Sequence, residues 1–411
     1  MQVPKFFSAM IPVVVLFTAR AVHAQTPSYN LSTIATSTSQ IENIIQGADG
    51  NFYGLFKDGG AYGCGGVYEM STGGTLTTLA SFKESDACLS INGYGGLVQA
   101  RDGNFYGTSS FGGSNHEGAV FKVTPDGVVS NLVSFSHGDD NGYYPITSLV
   151  QASNGNLYGT TYLGNNNGSG STVFSITPDG KFSTNAYFNG TNGYHASDLI
   201  EGADGALYGT TANSGPNYGG TIFRLDGAGQ VTTLHTFTAA VSSEGGFYSR
   251  SGLTKGDGGK FYGVTNQGGS GNGGTLFSLE ASGKFSTLVN FGDNGVEGLN
   301  PSDLPTDTLV RASDGNLYGS TYDRQYIGGG TIFEFSPDGK YQTLFDGKRI
   351  TSLFQASDGD LYGINVNNIL RISGGSLAPV PEASTNISLG LLLALGTGAL
   401  AFRRKRIGAV T

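Results

Sequence analysis

The sequence predicts an all-β fold, a seven-bladed β-propeller of four-stranded antiparallel blades. A Tyr-Gly pair recurs seven times at intervals of 44 to 56 residues, and each copy lies among short apolar runs separated by Gly-rich turns. A period near 50 of this kind is typical of propellers and related β-arrays, whose units bury their apolar faces only against one another. The seven tyrosines are Tyr53, Tyr106, Tyr158, Tyr208, Tyr262, Tyr318 and Tyr362.

Each repeat offers four strands, which we call A to D. In the third copy, strand A covers Leu149 to Ala152, strand B covers Asn156 to Thr161 and strand C covers Thr172 to Thr177. The A–B link is usually Asp-Gly or Asn-Gly and the C–D link is often Pro-Asp-Gly, which are sequences of tight turns. The B–C and D–A links are longer and vary. In an antiparallel blade these variable links all lie on one face.

The seventh copy lacks strand D, because the chain turns into Gly374-Gly375 after strand C. Residues Tyr29 to Ala35 resemble a D strand in composition and have no repeat of their own. We therefore predict that this N-terminal strand completes the seventh blade and closes the ring. Closure removes the exposed sheet edges that an open array would present.

Composition and charge exclude several classes of protein. Between residues 25 and 381, 16 Lys and Arg stand against 30 Asp and Glu, a net charge of −14. Such a body is repelled by phosphate backbones, so we predict no nucleic-acid partner. No Walker, dinucleotide or Gly-x-Ser-x-Gly motif occurs, and no His pair has metal-ligand spacing. We therefore predict a monomer with no cofactor, no metal and no catalytic residue, with calcium at the Asp-Gly-Asn turns as the alternative.

The N-terminus predicts export. Lys5 precedes an apolar run from Phe6 to Thr18, and small residues precede Gln25, which is the pattern of a secretory signal peptide. The predicted domains are a signal peptide at 1–24, a propeller at 29–377, and a sorting or anchor segment at 378–411.

The C-terminus predicts a hydrophobic helix outside the propeller, formed by an apolar run at 387–402 that a basic cluster follows. The basic cluster would remain in the cytoplasm and leave the repeats outside. The pattern resembles the PEP-CTERM sorting signal of Gram-negative bacteria. This resemblance implies transient insertion in the inner membrane, processing by an exosortase-like enzyme, and delivery to the cell surface or extracellular matrix; an uncut anchor is the alternative. The signal residues are Val380, Pro381, Glu382, Arg403 and Arg404.

The amino-acid sequence of the repeats also resembles that of a known family. Ala48 to Gly54 reads Ala-Asp-Gly-Asn-Phe-Tyr-Gly, and later copies contain Gly-Gly-Thr-Ile-Phe and Thr-Pro-Asp-Gly. These short motifs resemble the GloVer tandem repeat of exported bacterial proteins with varied C-terminal anchors. The resemblance covers about residues 40–372 and implies no particular activity.

The variable links hold the candidate ligand-binding residues, because sites on rigid scaffolds usually lie on such loops. We expect aromatic rings there to stack on a ligand and acids to accept its hydroxyl hydrogen bonds. The preferred function is non-enzymatic binding or organisation of cell-surface or matrix polysaccharide. A carbohydrate-active lyase or hydrolase using the same face and a structural matrix component are the alternatives. The candidate residues are His116, Glu117, His137, Asp139, Asp140, Tyr194 and His195.

The two cysteines of the chain predict a disulfide. Cys64 lies in the first B–C link and Cys88 in the first D–A link, which the blade arrangement puts on the same face. Cysteine pairs in exported proteins usually form bridges.

Overall fold

The computed structural model describes residues 28–88, 95–137, 141–164, 170–240, 245–292, 303–323 and 329–380. These residues form seven separate antiparallel sheets, and the described part of the chain contains one short 3-10 turn, Asp257–Gly259, and no α-helix. The predicted seven-bladed β-propeller is confirmed. The predicted signal peptide and the predicted C-terminal helix lie outside the described residues.

The N-terminal strand closes the ring. It is Tyr29–Thr36 (β1), and it pairs antiparallel with the last strand of the chain, from Tyr29 opposite Gly374 to Thr36 opposite Asn368. The predicted closure is therefore confirmed. Blade 7 consists of Leu353–Gln355 (β28), Leu361–Asn365 (β29), Asn368–Gly374 (β30) and β1.

The other blades follow in chain order, each from strand A to strand D. Blade 1 is Ile41–Gln46 (β2), Phe52–Phe56 (β3), Gly66–Met70 (β4) and Leu76–Ser81 (β5). Blade 2 is Leu97–Gln99 (β6), Phe105–Ser109 (β7), Ala119–Val123 (β8) and Val129–Ser134 (β9). Blade 5 is Thr254–Lys255 (β20), Lys260–Thr265 (β21), Thr275–Glu280 (β22) and Phe285–Asn290 (β23). Blade 6 is Asp303–Arg311 (β24), Leu317–Asp323 (β25), Thr331–Phe335 (β26) and Tyr341–Asp346 (β27).

Blades 3 and 4 differ because strand A is split in two, and both pieces pair with strand B. The upstream piece lies in what the sequence suggested was a D–A loop. Blade 3 is Tyr143–Pro145 (β10), Val150–Gln151 (β11), Leu157–Leu163 (β12), Ser171–Ile176 (β13) and Phe182–Phe188 (β14). Blade 4 is Tyr194–Ala196 (β15), Ile200–Glu201 (β16), Leu207–Asn213 (β17), Tyr218–Leu225 (β18) and Val231–Thr238 (β19).

The repeated tyrosine packs between blades. The rings of Tyr53 and Phe105, from blades 1 and 2, have centroids 4.4 Å apart, and Tyr208 and Phe261 repeat this contact at 4.4 Å. The Tyr53 hydroxyl donates a 2.7 Å hydrogen bond to Asp49 in its own A–B turn. Burial and this carboxylate raise the pKa of Tyr53 above its ordinary value. The Asp-Gly turn therefore fixes both the hairpin and the inter-blade ring, which explains why Asp precedes Tyr by four residues in five of the seven blades.

A belt of amide side chains joins neighbouring A–B turns around the axis. Gln151 in blade 3 accepts a 2.9 Å hydrogen bond from the backbone N–H of Arg101 in blade 2, and its own amide donates to the Gly155 carbonyl at 3.0 Å. Gln46 makes the same link from blade 1 to the Ser357 N–H of blade 7, at 2.8 Å. Gln99 and Gln355 make equivalent links with their amides, and Glu201 makes one with its carboxylate.

The segment after the last strand crosses the face that bears the A–B and C–D turns, which we call the turn face. Ser376 donates to the Asp314 carboxylate in the A–B turn of blade 6. The Ala378 carbonyl accepts a 2.8 Å bond from the Ser313 hydroxyl. Gly375 donates to the Ser28 carbonyl at 3.1 Å, so the chain enters and leaves the propeller at the same place.

Candidate functional site

The opposite face, which we call the mouth face, carries the B–C and D–A links. Three consecutive blades share a short segment in which glycine is followed by two aromatic side chains. In blades 3 and 4 the two aromatics begin the upstream piece of strand A, and in blade 5 the segment precedes strand A. The three segments are Gly142-Tyr143-Tyr144, Gly193-Tyr194-His195 and Gly246-Phe247-Tyr248.

Paired threonines hold these segments against their own blades. In blade 4 the hydroxyls of Thr211 and Thr221 lie 2.9 Å apart, and Thr221 donates to the Asn192 carbonyl at 3.0 Å. Gly193 has φ 110°, and a Cβ there would lie 1.9 Å from the Thr211 hydroxyl, so only glycine fits. Equivalent hydroxyl pairs are Thr161 with Thr172 and Thr265 with Thr275.

The second aromatic of each segment has a strained backbone. The φ angles of Tyr144, His195 and Tyr248 are 55°, 56° and 59°. A non-glycine residue in this left-handed region costs about 1–2 kcal/mol, and such strain clusters at functional sites. The three side chains are only half-buried, whereas Tyr143 and Phe247 beside them are buried. The blades therefore repeat an unfavourable backbone that keeps one ring at the surface.

Two of these rings, those of Tyr144 and His195, lie beside the end of strand B in the preceding blade. The His195 ring stacks on Tyr162 of blade 3, with centroids 3.9 Å apart and planes 4° apart. Tyr144 lies 5.8 Å from the ring of Phe111 in blade 2. Burial and the nearby charge of Arg250 lower the pKa of His195 from its ordinary value, which favours the neutral imidazole in this stack.

The same arrangement recurs between blades 6 and 7 with a cation. The Arg349 guanidinium lies over the Tyr322 ring, 5.4 Å from its centroid. Because the first strands of adjacent blades contact each other around the axis, residues at the mouth-face ends of strands A and B surround the channel opening. We call this set the mouth ring: Tyr144, Tyr162, His195, Tyr248 and Tyr322.

Of the residues suggested by the sequence, His195 lies in this ring and Tyr194 precedes it in β15. His116 occupies the tip of a B–C loop with φ 60°. Its Nδ1 lies 3.3 Å from the Glu84 carboxylate, and both side chains are exposed. Equivalent loop tips in other blades hold Gly63, Tyr218 and Asn272, also at positive φ. The backbone position of His116 is therefore a shared turn requirement.

Glu117 and His137 lie at a different place, the junction of blades 2 and 3, where each is near Tyr143. The Tyr143 ring lies 5.0 Å from that of His137. Burial, followed by the charge of Glu117, raises the pKa of Tyr143 above its ordinary value. The Glu117 Oε2 atom is buried and has no hydrogen-bond partner in the described part of the chain. Glu117 also fixes the mouth segment, because its carbonyl accepts the Tyr144 N–H at 3.0 Å.

The cysteines occupy the corresponding junction between blades 1 and 2. Their Sγ atoms lie 2.34 Å apart as a disulfide, with a Cα separation of 4.6 Å. Cys64 holds the loop position of Glu117, and Cys88 pairs with Phe111 as Tyr143 pairs with Leu163. The disulfide between blades 1 and 2 thus occupies the position that Glu117 and Tyr143 occupy between blades 2 and 3.

Three further findings limit the site. Asp139 and Asp140 lie outside the described residues, as do Pro381, Glu382, Arg403 and Arg404 of the C-terminal segment; Val380 is exposed at the end of the turn-face tail. Across the described ranges, no group of three or more His, Cys, Asp or Glu side chains is arranged to hold a metal ion. No helix in the same ranges is long and apolar enough to span a bilayer.

Most of the mouth ring was missed by sequence reasoning, which named only His195. A usable signal was present: a small or amide residue, glycine and two aromatics recur at 141–144, 192–195 and 245–248. Tyr162 and Tyr322 each lie four residues after the tyrosine of the Tyr-Gly pair in their own strand B.

Comparison with known proteins identifies the repeat. The profile described as the Gloeobacter/Verrucomicrobia repeat matches residues 40–258 and 238–378, most of the chain. The chain belongs to this family. No curated protein matches this Gloeobacter/Verrucomicrobia repeat protein in sequence.

Solved structures share the fold of this repeat protein at low sequence identity. A streptogramin B lyase is 14% identical with a TM-score of 0.59, covering 84% of this chain and 98% of its own. Virginiamycin B lyase from Staphylococcus aureus, in a catalytically inactive variant with quinupristin, is 15% identical with a TM-score of 0.58 and coverages of 84% and 99%. PorZ, a surface component of the type-IX secretion system of Porphyromonas gingivalis, is 13% identical with a TM-score of 0.53 and coverages of 79% and 45%.

Proposed function

We propose that this protein is an exported, surface-anchored, non-enzymatic propeller that binds cell-surface or matrix polysaccharide through the mouth ring. The observation that carries the proposal is the strained half-buried aromatic repeated in three consecutive blades. A strained backbone that recurs at equivalent positions and leads to partly exposed rings supports a binding role rather than a packing role.

Polysaccharide is the ligand class that suits this surface. Aromatic rings offer flat apolar faces, and Tyr also offers a hydroxyl, which together match the apolar faces and polar rims of sugar rings. The rings of Tyr162 and His195 stack face to face across the boundary of blades 3 and 4, so the outer face of the stack and the ring edges are the surfaces available to a sugar. Rings spaced around the channel opening provide several weak contacts to one long chain, a multivalent arrangement.

The cellular location belongs to the same proposal. The N-terminal signal pattern and the C-terminal pattern of Val380-Pro381-Glu382, an apolar run and a basic cluster support export, transient anchoring in the inner membrane and processing by an exosortase-like enzyme. A surface or matrix polysaccharide is the partner present at that location.

The test is a glycan array probed with the full chain purified in mild detergent. Substituting Tyr162→Ala or Tyr322→Ala should weaken binding about 2- to 10-fold, because each lost stacking contact is worth about 0.5–1.5 kcal/mol. Tyr187→Ala is the matched control, since that ring is 51% exposed on the outer strand of blade 3. Binding that falls equally in all three variants would refute the mouth ring as the site.

A second candidate function is a carbohydrate-active enzyme, favoured by the Glu117 carboxylate at the junction of blades 2 and 3. A buried carboxylate oxygen without a hydrogen-bond partner in the described ranges, near a tyrosine whose ring contacts a histidine, is a candidate general acid or base. The lyases that share the fold show that this scaffold accommodates catalysis. Release of reducing or unsaturated ends from any glycan that binds the array, abolished by Glu117→Gln, would establish this function in place of simple binding.

A further inference from the structure

The arginines of the described residues divide by face. Those on the turn face are all engaged: Arg224 lies 2.8 Å from the Asp204 carboxylate, and Arg371 lies 2.5 Å from that of Asp360. Arg311 pairs with Asp257, and Arg101 donates to a backbone carbonyl. Three of the four described arginines on that face are therefore paired with carboxylates.

The two described arginines of the mouth face have no such partner. Arg349 lies over the Tyr322 ring and makes no carboxylate contact within the described ranges. Arg250 is exposed, follows Tyr248 by two residues, and likewise meets no acid in those ranges. Its charge nevertheless reaches the mouth ring, since it disfavours protonation of His195. Both guanidinium groups thus stand beside ring members with their donors open.

This contrast is informative because the body of the protein carries a net charge of −14. In such a field, mobile arginine side chains find carboxylates easily, as the turn face shows. An arginine held on an aromatic face keeps its planar fork oriented, and that fork matches a carboxylate in a bidentate manner. Aromatic rings flanked by the oriented fork of Arg349 and by the exposed guanidinium of Arg250 match a sugar ring that bears a carboxylate.

We propose that the mouth ring is specific for acidic polysaccharides built from uronic acids, whose carboxylates bind Arg250 and Arg349 while their rings stack on the aromatics. This inference rests on the proposed polysaccharide-binding function. It adds that the ligand is anionic, although the protein itself is acidic.

The experiment compares two forms of one polymer, polygalacturonate and its fully methyl-esterified form, which lacks the charge. Binding of each to the full chain in detergent is measured by biolayer interferometry. The acid form should bind at least about tenfold more tightly, because a charge-assisted hydrogen bond contributes about 1.5–3 kcal/mol. Arg250→Gln and Arg349→Gln should each lower the affinity for the acid form about tenfold and leave the affinity for the esterified form unchanged.

Arg101→Gln is the control, because it removes a guanidinium of the opposite face. It should leave both affinities unchanged, and circular dichroism of all three variants should match the parent chain. Equal affinity for the two polymers, or equal loss in all three variants, overturns the acidic specificity while leaving polysaccharide binding in place. Failure to bind either polymer, together with a blank glycan array, overturns both proposals.

Discussion

The non-covalent closure of the ring is open to a direct test with an engineered disulfide. β1 belongs to blade 7, yet the chain leads from it directly into blade 1. Within the described ring, the closure therefore depends on the non-covalent pairing of β1 with β30, which we call the seam. Asn30 and Ser373 face each other across this seam, and neither side chain is buried. We consider the pair Asn30→Cys and Ser373→Cys.

The size of the effect follows from the loop that the bridge closes. This loop spans 373 − 30 = 343 residues, for which the chain-entropy treatment gives a stabilisation of about 6 kcal/mol. The matched control is Ser278→Cys with Ser286→Cys, two residues that face each other on the corresponding strands of blade 5. That bridge closes 286 − 278 = 8 residues and should contribute about 2.5 kcal/mol. The seam bridge should therefore exceed the control by about 3 kcal/mol.

Equilibrium unfolding in guanidinium measures the difference. The chain has 21 tyrosines and no tryptophan, so tyrosine fluorescence and far-ultraviolet circular dichroism are the natural probes. Both variants are compared with the parent chain under oxidising conditions, since reduction would also open the native bridge. If the seam bridge stabilises no more than the control, β1 and β30 do not pair as described, and our account of ring closure is wrong.

Three other predictions concern single side chains. Burial lowers the pKa of His235 to about 4, so the unfolded chain takes up a proton at higher pH than the folded one. The contribution of His235 to the free energy of unfolding should be fully present above pH ~6.5 and fall by about 2 kcal/mol towards pH ~4. His235→Phe should remove this loss while keeping the stack on Phe285, and acid titration followed by circular dichroism measures it. Gln151→Ala should lower the free energy of unfolding by about 1–2 kcal/mol, because one hydrogen bond to the turn of blade 2 and one within its own turn are lost; an unchanged denaturation midpoint would count against the belt. Non-reducing peptide mapping should recover Cys64 linked to Cys88, and reduction should cost about 3 kcal/mol; two free thiols would contradict this.

The architecture was predictable because backbone chemistry repeats it. Asp49, Asp102 and Asp314 each serve a hairpin turn, a tyrosine hydroxyl and an asparagine at once, so the same residues recur in blades 1, 2 and 6. Likewise β1 was recognisable because the seventh repeat lacks a strand that only Tyr29 to Ala35 could supply. Where one local geometry is needed seven times, periodicity alone reveals it.

The site was less predictable because it lies in the links whose lengths differ. The segment that begins at Gly142 reaches the first core leucine of strand A, Leu149, after seven residues, whereas Gly193 reaches Leu199 after six. The repeat signal is lost between them, and the positive φ of His195 is a property of packing that no composition reveals. His116 was selected for its chemistry, yet its position is one that Gly63 fills in another blade.

The path of the chain ends has a consequence for geometry at a surface. Ser28 and Gly375 lie side by side at blade 7, and the segment to Val380 runs across the A–B turns. Any attachment that continues from residue 380 therefore pulls on the turn face. Tension along that attachment would draw the propeller down with its channel opening directed outward. A long polymer could then be engaged at the top without threading past the tether, and a load on the polymer would be carried through β30 to the seam at β1.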